Sequence, residues 1–114
     1  AQAVLGNHMG DISYAIQKEI ERTGFKVVKE LGGHGVGDMV HEEPFIPNFG
    51  RPGEGPILLE GMVLALEPIS TAGKAAVTLA PDGYTYRTKD GSLSAHFEHT
   101  ILIEKNGPVV VTKL

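Results

Sequence analysis

The sequence contains no cysteine. That excludes disulfide staples, a thiolate nucleophile and cysteine-ligated zinc together, and it suits a reducing cytoplasm, the expected location. Aromatic residues make up 6% of the chain, and no run of Lys and Arg is interleaved with them, so a nucleic-acid partner is not expected. No apolar run approaches the roughly 18 residues of a membrane-spanning helix. The opening residues, AQAVLGNHMGDIS, hold neither the basic segment nor the apolar segment of a secretion signal, and they start at alanine as a processed or partial chain would. What remains is a net charge of −4 with both signs mixed and 41% hydrophobic residues over 114 positions. One globular domain over 1–114 is expected, long enough to form a core without staples.

Glycine and histidine are concentrated in one place. Residues 31–44 read LGGHGVGDMVHEEP. Glycines spaced this closely let backbone approach a ligand without side-chain bulk. Around them the pattern predicts one helix and several strands. Ile12, Ala15, Ile16 and Ile20 form an apolar stripe at helical spacing over 11–23, with Gly10 or Asp11 to cap it and Gly24 to end it. Residues 25–31 read as a short strand, 31–44 as a loop, and 48–56 as a Gly/Pro loop. Residues 57–59 read as a short local pairing, and 62–69 as an apolar strand. Residues 84–89 and 93–104 read as strands joined by an Asp90-Gly91 hairpin turn, and Asn106-Gly107 turns the chain into a last strand at 109–112. One main helix beside an antiparallel-rich sheet is an α+β fold.

Four residues are candidates for chemistry: His34 in the glycine loop, His41 before the acidic pair, Glu67 at the end of an apolar strand before Pro68, and Glu98 within another strand. A glutamate in an apolar strand is costly unless it is paired, protonated or bound to a cation. One imidazole and two carboxylates form an oxygen/nitrogen donor set suited to manganese, iron, cobalt or zinc. Taken singly, each residue has an ordinary reading: a turn histidine, a strand glutamate on the solvent face, a solvated acidic segment. GHGVG lacks the following Lys-Ser/Thr of a phosphate-binding loop. His34, His41, His96 and His99 are also general-base candidates for a metal-free hydrolase of small esters, although Ser92 and Ser94 lack the flanking glycines of a nucleophile elbow.

Taken in order, GHGVG, HEEP, LEGMVLALEP and DGYTYRTKDGSLSAHFEHT resemble the C-terminal half of type I methionine aminopeptidases, and the likeness runs from GDISYAIQ to EKNGPVVVT. The resemblance implies half of a pita-bread fold. It implies a metal-dependent hydrolase that removes N-terminal methionine from peptides. His34, Glu67 and Glu98 would be metal ligands, with Glu67 also handling the proton of the attacking water and His41 contacting the peptide group of the substrate. The family's two aspartate ligands, another catalytic histidine and much of its methionine pocket lie in the other half, which these residues do not match. His96 stands where glutamine is usual, Tyr84 where tryptophan is usual and Leu5 where proline is usual. The expectation is a truncated catalytic domain holding one divalent ion per chain and taking a broadened range of peptides or small molecules. It would act as a homodimer or with a complementary chain. The competing readings are the metal-free hydrolase and a non-catalytic remnant or split-enzyme piece.

Overall fold

In the computed structural model, which describes residues 1–114, helix α1 spans Met9–Arg22. It starts two residues before the predicted boundary, and the capping position belongs to His8 rather than Gly10 or Asp11. Asp11 acts from the third helical position: its Oδ2 accepts the His8 N–H at 2.7 Å, half of a capping box. The earlier start places Met9 beside Ile12 in the core. Gly24, at φ +85°, ends the helix as expected.

Ten strands follow: β1 (Lys26–Val27), β2 (Gly32–Gly35), β3 (Glu42–Pro47), β4 (Val63–Leu66), β5 (Ile69–Thr71), β6 (Val77–Leu79), β7 (Tyr86–Thr88), β8 (Ser94–His96), β9 (His99–Glu104) and β10 (Gly107–Val110). They form a five-stranded sheet in the order β10-β9-β4-β2-β3, a three-stranded sheet β1-β5-β8 and the hairpin β6-β7, all antiparallel. The α+β expectation holds.

Several predicted boundaries do not. The strand predicted over 25–31 ends early, and the predicted glycine loop is itself strand β2. The pairing of 57–59 is not local, because Ile57 bridges to His8. The predicted strands 62–69 and 93–104 are each broken in two, at Glu67-Pro68 and at Phe97-Glu98. Both breaks fall at one level, where β4 and β9 leave the five-stranded sheet and continue as β5 and β8 in the three-stranded one. Pro68 has no N–H to offer the ladder, but its carbonyl accepts the Phe97 N–H at 3.1 Å, which carries the pairing around the bend.

Asp90-Gly91 does not join paired strands either, since β7 pairs with β6 and β8 with β5. The hairpin turn lies earlier. There the Asp82 carboxylate accepts the N–H groups of Tyr84 and Thr85 at 2.9 and 2.8 Å, and Gly83 adopts φ +77°. Asp90 instead closes the base of this arm, accepting the Lys74 N–H at 2.7 Å and the Ser92 hydroxyl at 2.7 Å. The Asn106-Gly107 turn closes the β9–β10 hairpin as expected.

Along β4 and β9 side chains alternate between faces. Leu64 and Ile101 pair on one face and join Met9, Ile12, Ile46, Leu58 and Ile103 in a core under α1. The opposite face carries Ala65, Thr100 and the candidate site. Only 16 of the 114 residues are buried, and the accessible surface is 7294 Å², against roughly 6,100 Å² for a compact monomer of this mass. No helix is long and apolar enough to cross a membrane.

Two predictions follow from this packing. Ile103 is fully buried, so Ile103→Ala is expected to lower unfolding free energy by about 2–5 kcal/mol, while Phe97→Ala, at an exposed position, changes it by about 0.5 kcal/mol or less; urea denaturation reads both. The Lys74 N–H, with the hydroxyl and N–H of Ser92, holds the Asp90 carboxyl down at about 2 from its ordinary 3.8. A depressed folded-state value contributes stability that is present above the ordinary value and lost as pH falls through the lowered one. Asp90→Asn should therefore flatten the fall of melting temperature across that acid window.

Candidate metal centre

The register of three neighbouring strands assembles the site. His34 on β2 pairs with Ala65 on β4, and Ala65 pairs with Thr100 on β9. Two residues beyond Ala65, just past the end of β4, is Glu67, and two residues back from Thr100, just before β9, is Glu98. With Leu66 paired to His99, Glu67 and Glu98 are the next opposed positions, at the bend itself. Period-two alternation puts all three donors on the face away from the core. One donor atom from each of His34, Glu67 and Glu98 lies within 4.8 Å of the others.

The glycines explain how β2 fits between its neighbours. A Cβ at Gly33 would run into the Ala65 carbonyl oxygen, and one at Gly35 into the Glu43 carbonyl oxygen. Only glycine allows these approaches. Between His34 and Gly35 the register against β3 shifts, an irregularity of the kind that re-aims a side chain. Glu43-Pro44, within the shifted segment, is a cis peptide.

His34 is tightly constrained. Its Nδ1–H donates to the Gly35 carbonyl at 2.9 Å, which leaves the Nε2 lone pair facing Glu67 Oε1, also at 2.9 Å. A lone pair against a carboxylate oxygen is repulsive unless a cation lies between them, a proton in the metal-free chain or a metal ion. Both side chains are mostly shielded, 13% and 15% exposed, so water weakens this demand little. The donor set therefore fits a divalent ion, and the second ring nitrogen's bond to a carbonyl is the support usual for a metal-binding histidine. Glu98 differs from expectation. The segment 93–98 is largely solvent-exposed rather than core, and Glu98 with it, so the cost of burying a charge applies to Glu67 and not to Glu98.

His41 stacks on His34, with ring centroids 4.0 Å apart and planes tilted by 35°. All four predicted residues line one cleft of about 420 Å³, with Met39 and Val40 on its apolar side. The structure thus brings the four together, while His99 bonds Thr112 instead. It separates the serines from this chemistry: the Ser92 hydroxyl bonds Thr71 and Asp90, and no histidine is among its partners.

Two residues touching Glu67 escaped the sequence reading. His96 Nε2–H donates to Glu67 Oε2 at 3.1 Å; it stood out in the sequence only as a base candidate and an unusual side chain. Asn48 is fully buried, and its Nδ2 donates to the Glu67 backbone carbonyl at 2.6 Å. Nothing in a Pro-Asn-Phe-Gly stretch distinguishes such a residue from a turn asparagine.

The cleft and its donor set, carried at one end of the five-stranded sheet, form a candidate divalent-metal centre. Residues 1–105 match the model of metallopeptidase family M24, and the chain belongs to that family. It is similar to the methionine aminopeptidases of Clostridium perfringens, at 50% identity over 97% of this chain and 45% of the relative, and of Aquifex aeolicus, at 48% over 99% and 45%. Crystal structures of the methionine aminopeptidases from Thermotoga maritima and Rickettsia prowazekii superpose with TM-scores of 0.94 and 0.93, at 49% and 44% identity, over 97% and 96% of this chain and 45% of each of theirs. The fold is half of a pita-bread fold, and the chain spans about half the length of the curated relatives it matches.

Gly33→Ala tests the backbone approach that places His34. Overpacking against the Ala65 carbonyl is expected to cost about 1–3 kcal/mol, read as a lowered denaturation midpoint. Gly24→Ala, at a position with nothing within 4 Å of the added carbon, separates crowding from the strain of a positive φ.

Proposed function

We propose that His34, Glu67 and Glu98 hold one divalent ion per chain, manganese, iron, cobalt or zinc, and that residues 1–114 form a truncated catalytic domain removing N-terminal methionine from peptides. The observation that supports this most is the 2.9 Å approach of the His34 lone pair to Glu67 Oε1, in a chain of a metallopeptidase family. A divalent ion held there supplies an acidified water and a polarised peptide carbonyl. The protein's own groups do the rest. Glu67 would help hold the ion and would take the proton of the attacking water. His41, stacked beside His34 at the cleft wall, hydrogen-bonds the peptide group and aligns it. Met39 and Val40 offer an apolar wall to the side chain that is removed, and the open cleft admits a wider range of residues than methionine alone. A cysteine-free hydrolase of this kind suits the reducing cytoplasm.

Three protein ligands leave coordination positions free, and the chain exposes about 1,200 Å² more surface than a compact monomer of its mass. That exceeds the roughly 800 Å² per partner of a standard interface. Met39 and Val40 on the cleft wall are exposed, and so is Phe97, next to Glu98 in the chain. We assign this surface to a second copy, or to a complementary chain that supplies further donors.

Added manganese, cobalt or zinc is expected to raise the melting temperature, equivalent to about 2.7 kcal/mol at a hundredfold excess over Kd, and to support methionine release from a short peptide. Chelator should reverse both, and Glu98→Gln should abolish them. Turnover that survives chelator or Glu98→Gln would instead favour the metal-free hydrolase. Native mass spectrometry should show a dimer with one ion per chain; a metal-free monomer would favour the remnant or split-enzyme reading.

A further inference from the structure

We infer that Asn48 and His96 are positioning residues that hold Glu67 from its two ends and set the plane of its carboxylate toward His34. The inference rests on the reading of Glu67 as a ligand. Glu67 sits at the point where β4 bends into β5, so no regular ladder fixes its backbone. The following residue, Pro68, has no N–H to take part in one. The Asn48 amide does this instead: it reaches the Glu67 carbonyl from 19 residues away, at 2.6 Å and out of contact with solvent.

A buried amide is retained at a cost. Asn48 Oδ1 and the Ser13 hydroxyl are the two buried side-chain polar atoms without a hydrogen-bond partner, and leaving such a group unpaired is unfavourable. An apolar side chain of the same shape would avoid that penalty but would orphan the Glu67 carbonyl. The single bond Asn48 makes therefore accounts for its presence.

At the other end the carboxylate carries two imidazoles, one on each oxygen. His34 Nε2 lies 2.9 Å from Oε1 and His96 Nε2 lies 3.1 Å from Oε2. Rotation about the last side-chain bond would swing the carboxylate plane out of line with His34. His96 donates to Oε2 and restrains that rotation, so one oxygen stays toward His34 and the other toward His96. His96 belongs to β8, whose pairing of His96 with Ile69 on β5 sets its ring at the height of Glu67. It does not join the three donor atoms that lie within 4.8 Å of one another, which separates a positioning role from a ligand role.

The test uses the full chain with two readouts. The first is manganese affinity by calorimetry. The second is the imidazole nitrogen signals of His34 in the metal-free chain, by NMR at one fixed pH. His96→Ala alters a half-exposed side chain and leaves the core intact; Asn48→Leu keeps the branched shape and removes the donor. Each is expected to weaken manganese binding about 10- to 100-fold and to shift the His34 signals toward those of Glu67→Gln. His96→Gln, which keeps an N–H donor, should recover most of both. A purely structural role would lower only the melting temperature. Wild-type affinity and unshifted His34 signals in a folded His96→Ala or Asn48→Leu chain would overturn the inference. If the wild-type chain binds no manganese, the ligand reading fails by itself, and the His34 signals still decide whether Glu67 is positioned as stated.

Discussion

Hydrogen-bond register across β2, β4 and β9 is the constraint on which the site depends. His34, Ala65 and Thr100 lie in one row across the sheet, and Glu67 and Glu98 occupy the next opposed positions at the end of it. Side-chain direction alternates with every residue, so a slip of one position in any of the three strands would turn a donor into the core. The core resists that slip. Leu64 and Ile101, one position away from the Ala65–Thr100 pair, are buried under α1, and moving them to the open face would expose apolar area worth about 25 cal/mol per Å². The packing that stabilises one face of the sheet is what aims the donors on the other.

The bend gives this register its use. A straight continuation of β4 and β9 would carry Glu67 and Glu98 along a flat ladder. Both chains instead change sheets at this level, and the carboxylates stand at an inside corner with His34 across from them. The lone-pair geometry of His34 then turns proximity into a demand for a cation. Its Nδ1–H is committed to Gly35, which leaves Nε2 free to bind a cation shared with Glu67. The same arrangement explains why glycines flank His34: β2 lies too close to the carbonyls of Ala65 and Glu43 for any side chain at 33 or 35.

Much of this was legible in the sequence, and the limits have physical causes. Helix α1 was visible because its apolar spacing is strongly periodic, and its start was missed by two residues because Asp11 caps from inside the helix. The four cleft residues were visible because histidine and glutamate are conspicuous beside glycine and in apolar runs, and their ordered motifs matched a known family. The glycine strand was invisible, since glycine has low strand propensity and only the neighbouring carbonyls require it there. The bends at Glu67-Pro68 and Phe97-Glu98 were read as continuous strands, because each half keeps its own alternation and the change of sheet is a tertiary event. Asp90-Gly91 carries a strong hairpin signal, yet its carboxylate is engaged across the arm with Lys74. Asn48 could not be found at all, since its partner is a backbone carbonyl 19 residues away.

The β6–β7 arm bears on how such a chain tolerates change. It leaves the body after β5, closes through the Asp82-Gly83 turn and returns just before β8. Its base is tied by the Asp90–Lys74 contact and by the pairing of Thr71 with Ser94. The segment between Glu67 and Glu98 therefore contains a loop whose length is not transmitted to either glutamate. Residues could be added or removed near its tip without changing the spacing of the donors, at a loop-closure cost that grows only with the logarithm of length. The same change made between Ala65 and Glu67, or between Glu98 and Thr100, would destroy the corner. Length variation and grafted segments belong in the arm, where they leave the spacing of the two glutamates intact.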